Sequence, residues 1–299
     1  MAINTKSDPE TAWLRKPIKE NIQSTFRRST QMCGIFGFIL KKPVSMKKVF
    51  QILKKLEASK YPDETQPVGG YGAGIAVMLP DGDIISEKVG KTADSPAAQL
   101  EEIIENKIIM NSKLSQASVL LGHVRFPSPQ NMGKVKFKEA AQPYVEHFEP
   151  KLTIVSVHNG YVENFKELKA KLKTHVFESE KVGFVDSEVI PHYFGEMLNE
   201  QESTDAAVYE LLLALKGSNV TALLQVDDEN AFLHLIYKGK ARGLTVWTND
   251  KGEVIFCSRP EPVEEELKPL LAIGRFKEKV AINWKEDAGL KLSFLAILE

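Results

Sequence analysis

The stretch Met32-Cys33-Gly34-Ile35-Phe36-Gly37-Phe38 holds the residue around which chemistry is best organised. A chain whose first residue is Cys33 carries a thiol nucleophile and a free α-amine on one residue. That amine, with an unperturbed pKa near ~8, is partly unprotonated at neutral pH and can accept the thiol proton; a peptide nitrogen cannot. Plain packing is the other possibility, because free cysteine is among the most buried residue types and Gly-Ile-Phe-Gly-Phe-Ile-Leu reads as a buried strand. Three further places offer weaker signals. Arg125 closes an apolar run just before Phe126-Pro127-Ser128-Pro129-Gln130. An arginine there is placed for a bidentate contact with a carboxylate, or for a surface ion pair. Asn159 and Gly160 set a side-chain amide beside a glycine backbone N–H, although Asn-Gly is also an ordinary turn dipeptide. Asp186 opens a helical pattern, where its first reading is an N-cap.

The elements that must position these residues alternate between strand and helix signals. A strand is expected over 33–40, ended by Lys41-Lys42-Pro43. A helix capped by Ser45 follows, with Met46, Val49, Phe50, Leu53 and Leu56 on its apolar face. The Pro/Gly/Asp loop 61–70 leads into a strand over 70–78, then a Pro80-Asp81-Gly82-Asp83 turn and a hairpin partner at 84–89. The glycines at 70–74 do not make a phosphate loop, since no Lys-Ser/Thr follows and the next element is a strand. A helix is expected over 97–110, strands over 117–125 and 152–157, and helices over 163–174, from 186 and over 204–215. The remaining strands are expected at 221–226, 231–237, 244–248, 254–257, 280–283 and 291–298. Cys257, beside Phe256 in one of these, reads as a packing residue.

With 299 residues, 43 % hydrophobic, 26 % charged and a net charge of −1, the chain has the composition of a globular protein without an electrostatic footprint for nucleic acid. Its apolar runs are too short for a membrane span. Two cysteines cannot build a disulfide framework, and neither has the spaced Cys/His partners of a zinc site, so a cytoplasmic setting is expected. Residues 1–32 carry six Lys/Arg against three Asp/Glu with little periodic hydrophobicity. They read as a disordered extension, either a propeptide removed at Met32–Cys33, an upstream stretch before a true start at Met32, or a segment that stays attached; the start at Met32 is preferred. Residues 33–299 read as a single domain.

Taken in order, Cys33-Gly34-Ile35-Phe36-Gly37, Gly122-His123-Val124-Arg125-Phe126-Pro127-Ser128, His158-Asn159-Gly160 with Glu163-Asn164-Phe165 and Leu168, and Asp186-Ser187-Glu188-Val189 resemble the class II glutamine amidotransferases. This is the glutaminase domain shared by glutamine–fructose-6-phosphate transaminase, glutamine phosphoribosylpyrophosphate amidotransferase and asparagine synthetase. The resemblance covers 33 to about 260. It implies an α+β fold, the four-layer αββα N-terminal-nucleophile hydrolase sandwich of two antiparallel sheets. It further implies that Cys33 attacks the side-chain amide of glutamine, that Asn159 and Gly160 form the oxyanion hole, that Arg125 clamps the α-carboxylate and that Asp186 takes the α-ammonium. Ser128 and Phe126 would complete the substrate site. No metal or organic cofactor is implied.

Departures from the family pattern leave the branch open. Phe126 stands where the transaminase branch has Trp, Gln142-Pro143 where it has His-Pro, and Gly70-Tyr71-Gly72-Ala73-Gly74 replaces Arg-Gly-x-Asp-Ser. No isomerase, phosphoribosyltransferase or ATP-pyrophosphatase motif is found. The expectation is therefore a stand-alone glutaminase subunit that passes ammonia to a separate acceptor, by family analogy a glutamate-synthase-like synthase subunit. Two other readings use the same motifs: another amide hydrolase with an N-terminal cysteine, and a non-catalytic binding module in which residues 1–32 keep Cys33 in a peptide bond.

Overall fold

A computed structural model of the chain describes residues 33–62, 64–228, 230–272, 276, 278–282 and 288–296. The strands are β1 (Gly34–Ser45), β2 (Gly72–Met78), β3 (Ile84–Gly90), β4 (Gln116–Val124), β5 (Tyr144–Phe148), β6 (Leu152–Gly160), β7 (Asn219–Val226), β8 (Ala231–Gly239), β9 (Leu244–Thr248), β10 (Val254–Cys257), β11 (Glu278–Ile282) and β12 (Ala288–Ala296). The helices are α1 (Met46–Ala58), α2 (Pro96–Met110), α3 (Phe165–Lys171), α4 (Val189–Glu200), α5 (Thr204–Ala214), α6 (Pro260–Glu266) and α7 (Lys268–Ala272).

Seven strands pair in the order β11-β9-β10-β1-β4-β2-β3 and five in the order β12-β8-β7-β6-β5, every pairing antiparallel. The sheets stack face to face because alternate residues of their central strands are apolar. Ile35, Ile39, Val119 and Leu121 from the first meet Val155, Val157, Val220, Ala222 and Leu224 from the second in a dry interlayer. Each such side chain contributes roughly 1.5–3 kcal/mol when fully buried. The outer face of the larger sheet is covered by α1, α2 and α6, that of the smaller by α3, α4 and α5. The architecture is the expected αββα sandwich.

Several local expectations change. β1 does not stop at Lys41-Lys42-Pro43 but runs to Ser45 through a register shift between Ile39 and Val44, so the lysines lie on an irregular strand edge. Ser45 occupies the N-cap position of α1 without a side-chain capping bond. β5 was not expected; its residues follow a Gln-Pro pair that reads as loop. His158-Asn159-Gly160 is not a turn: β6 carries all three as strand, with Asn159 opposite Val220 and Gly160 opposite Asn219. Cys257 is fully buried in β10, as expected of a packing residue. The extension 1–32 lies outside the described residues, as do parts of the expected strands at 280–283 and 291–298. Among the described residues no helix is long and apolar enough to cross a membrane.

Candidate active site

Cys33 sits at the entry to β1, the central strand of the larger sheet, and by strand alternation faces the interlayer with Ile35 and Ile39. β1 can occupy this position because Gly37 has no side chain: a Cβ there would collide with the Leu120 carbonyl and the Phe256 ring. The partly exposed Cys33 thiol donates to the Phe126 carbonyl at 3.1 Å, and the Phe126 N–H approaches the same sulfur at 3.2 Å. Burial pushes the thiol pKa up, against the opposing pull of the Phe126 backbone and the positive charges of Arg125 and Arg242. Unaided, the thiol is therefore protonated at neutral pH and needs a base.

Arg125 follows β4 directly, fixed by backbone bonds to both sides of Tyr71-Gly72: its N–H donates to the Gly72 carbonyl (2.8 Å) and its carbonyl accepts from the Tyr71 N–H (3.2 Å). The residue is 4 % exposed, yet neither Nη1 nor Nη2 has a hydrogen-bond partner among the described residues. Phe126 packs its ring edge-on against Tyr71 at 5.2 Å. The Ser128 hydroxyl is buried and also unpartnered.

Asp186 is not an N-cap. It is the first residue of a 3-10 turn, Asp186–Glu188, that runs into α4, and Val185 occupies the cap position. Its carboxylate accepts instead from the Val162 N–H at 3.0 Å and the Asn131 amide at 3.3 Å. Burial raises its pKa to about 6. The turn is held from behind by Glu188, which accepts from the N–H groups of Glu178 (2.5 Å) and Ser179 (2.9 Å) and from the Ser179 hydroxyl. Just before it, Phe184 adopts φ 60°, a conformation a bulky residue seldom takes.

Cys33, Arg125, Phe126, Ser128, Gly160 and Asp186 line one partly open cleft. Asn159 does not line it. By alternation its side chain shares the interlayer face with Val155 and Val157, fully buried, and both its amide atoms lack partners. Gly160 has φ +137°, and a Cβ there would sit on the Ser218 carbonyl. A buried amide, a guanidinium and a hydroxyl without partners among the described residues together make a polar site that those residues alone do not complete.

The sequence did not single out Asn131, or the roles of Gln142 and His158. Asn131 returns over the cleft on a 3-10 turn, Pro129–Lys134, and Lys134 ties it to the Asp186 loop by donating to Asn131 Oδ1 (2.8 Å) and to the carbonyls of Gly183 (2.8 Å) and Phe184 (2.5 Å). Gln142 grips the β6 backbone at His158, accepting from its N–H (2.6 Å) and donating to its carbonyl (3.1 Å). The His158 ring bridges Ser187 Oγ and Asn219 Oδ1, each at 2.9 Å, and burial lowers its pKa to about 4, so it is neutral. Two prolines around Ser128 were the available sign that this loop folds back.

No protein-family model matches the chain. It is 28 % identical over 262 residues to a glutamine–fructose-6-phosphate aminotransferase (isomerizing) of Halalkalibacterium halodurans, covering 87 % of this chain and 37 % of that protein. The enzyme of the same name from Pyrococcus horikoshii is 31 % identical over 204 residues, covering 66 % of this chain and 28 % of that protein. These relatives carry the class II glutamine amidotransferase domain, and the chain is similar to that domain. The chain spans about a third of the length of the curated relatives it matches. Its fold is shared by the solved glutamine phosphoribosylpyrophosphate amidotransferase of B. subtilis, at a TM-score of 0.52 and 16 % identity over 86 % of this chain and 50 % of that one. A second structure, described as the allosteric regulatory enzyme of purine biosynthesis, has a TM-score of 0.55 and 17 % identity over 87 % of this chain and 48 % of that one.

Proposed function

We propose that the chain hydrolyses the side-chain amide of glutamine to glutamate and ammonia through a γ-glutamyl thioester on Cys33. The observation that carries this reading is the pairing, in one cleft, of a thiol with an unpartnered guanidinium and a buried carboxylate. Arg125 and Asp186 are opposite charges suited to the carboxylate and ammonium of a free amino acid, and Arg125 Nη1 and Nη2 offer a bidentate fork. Simple amides would satisfy neither group.

In this reading residues 1–32 are absent from the active form, and the α-amine of Cys33 takes the thiol proton. The sulfur attacks the amide carbon, and the carbonyl electrons move onto oxygen. Asn159 and the Gly160 N–H stabilise that oxyanion, a role in which one fixed donor is typically worth ~3 kcal/mol of barrier. The carbon–nitrogen bond then breaks, with the α-ammonium returning its proton to the leaving ammonia. Water adds to the thioester, giving glutamate and regenerating the thiol. The ammonia is passed on to an acceptor outside 33–260, which we place on a synthase-type partner.

The deciding experiment combines the intact mass of the protein from its own source with glutamine turnover. A chain starting at Cys33 that turns over glutamine, and loses that activity in Cys33→Ala, is expected. Arg125→Ala should lower kcat/KM for glutamine by about 10²–10⁴-fold, the loss of two charge-assisted bonds. Unchanged glutamine turnover in Arg125→Ala, with simple amides cleaved equally well, would remove the glutamine assignment. A native chain that retains residues 1–32 and whose Cys33 alkylation is not slowed by glutamine would leave a binding module.

A further inference from the structure

On the outer face of the five-stranded sheet, away from the cleft, three side chains converge from three elements. Glu146 lies on β5 opposite Ile154, and so on the face that meets α4. His192 lies on α4, and His175 in the link between α3 and the 3-10 turn Glu178–Val182. His175 Nδ1 is 3.0 Å from His192 Nδ1, His192 Nδ1 is 3.4 Å from Glu146 Oε1, and His175 Nδ1 is 3.8 Å from the same oxygen.

The proton arrangement shows what the cluster lacks. His175 Nε2 faces Glu196 Oε1 at 2.8 Å, so Nε2 carries that ring's proton and Nδ1 presents a lone pair. His192 Nδ1 carries one hydrogen at most and faces both that lone pair and a carboxylate oxygen. The three atoms have more acceptor capacity than protons, which is the condition for a cation. Their spacing fits one: a triangle with edges of 3.0, 3.4 and 3.8 Å has its corners about 2.0 Å from a common centre, the usual Zn²⁺ distance to histidine nitrogen and carboxylate oxygen.

The surroundings agree. Glu196 on His175 Nε2 is the carboxylate–histidine arrangement that orients metal-binding imidazoles and raises their basicity. The two rings are nearly perpendicular, at 75°, and Phe177 packs against His192 at 4.3 Å while Phe148 meets His175 edge-on. The histidine side chains are 2 % and 7 % exposed and that of Glu146 is 22 % exposed, which leaves the carboxylate side open to water as a fourth ligand.

We propose that Glu146, His175 and His192 form a mononuclear site for a divalent transition-metal ion of the Zn²⁺ class. The ion ties β5 to α4 and closes the segment 175–192, the one that carries Asp186, at both ends. Sequence spacing could not reveal it, because the two histidines are far apart and the carboxylate comes from a strand that was itself unexpected.

The test uses untagged protein freed of metal by chelator and titrated with Zn²⁺ alone by calorimetry, and with Co²⁺ alone by visible absorption. We expect one ion per chain at micromolar affinity or tighter, the visible bands of a four- or five-coordinate Co²⁺ ion, and a melting temperature several degrees higher with Zn²⁺. Glu146→Gln and His175→Gln should each weaken binding by about 100-fold or more, and Glu196→Gln by about 10–100-fold. Cys33→Ala should bind like the unaltered protein, which separates this site from the thiol. Glu146→Gln is nearly isosteric and partly exposed, so it tests the site even if a histidine variant fails to fold. Sub-stoichiometric Zn²⁺ binding by the unaltered protein would overturn the proposal and leave a hydrogen-bonded histidine pair. So would binding indifferent to both Glu146→Gln and His175→Gln.

Discussion

Two buried arginines at strand ends of the same sheet are treated in opposite ways. Arg259 follows β10, is 1 % exposed, pairs with Glu64 and stacks its guanidinium over the Tyr61 ring at 3.6 Å; Arg242 reaches the other oxygen of Glu64 at 2.7 Å. Arg125 follows β4, is almost as buried, and keeps both terminal nitrogens without a partner. The pKa of Glu64 reflects the first arrangement: burial pushes it up, but the Tyr61 N–H and the two arginines outweigh that and hold it below the usual carboxylate range. An uncompensated buried charge costs several kcal/mol, so a fold that pairs one arginine and leaves the other open keeps the second for a group that arrives from outside. The same contrast divides the amides. Asn219 meets His158 and the Lys216 carbonyl, whereas Asn159, on the neighbouring strand opposite Val220, finds no partner for its side-chain amide among the described residues.

The comparison is broken most directly at Glu64. Glu64→Ala removes the carboxylate that two buried guanidinium groups share and should destabilise the protein by about 3–5 kcal/mol. Thermal or urea unfolding should show a loss of that size; a change under about 1 kcal/mol would mean that the paired cluster is no more structural than Arg125. Asn159→Ala should act in the other direction. It removes an amide with no partner in the fold, so stability should change by less than ~1 kcal/mol beyond the small cavity, while kcat falls about 10²–10³-fold. If unfolding rather than turnover moves in Asn159→Ala, the amide serves the interlayer and not the reaction.

How far the sequence disclosed this site depends on what each residue had to do. Periodicity placed the central strands, because an interlayer core imposes apolar alternation that is visible residue by residue, as in Val155 and Val157. It missed β5, an edge strand with mixed burial after a Gln-Pro pair, and mistook His158-Asn159-Gly160 for a turn, because dipeptide preference is local and strand pairing with Val220 and Asn219 overrides it. Cys33, Arg125 and Asp186 were legible only as a set in order; taken singly, each had a commoner explanation. Asn131 and Lys134 could not be read at all, since their value lies in bridging to a loop about fifty residues away through Asp186, Gly183 and Phe184. The Glu146, His175 and His192 cluster was hidden for the same reason.

Asp186 gives the finest version of the contrast, because stability and activity should respond to its proton with opposite signs. Its pKa in the fold, about 6, lies above the value of 3.8 expected in an unfolded chain. Its contribution to stability is therefore fully present below pH ~4 and is lost as pH rises through about 6, when a carboxylate must be held charged in a buried site. Binding an α-ammonium needs that same charge, so kcat/KM for glutamine should fall as pH drops below about 6. Asp186→Asn should then remove the acid limb along with glutamine recognition. At pH 7.5 it should also raise stability by about 1–3 kcal/mol, a gain that fades toward pH 4.5 because the native residue is neutral there too. Equal stability differences at the two pH values would show that Asp186 is already satisfied by Val162 and Asn131. It would then belong with Glu64 rather than with Arg125, and the ammonium would have to be held by another group in the cleft.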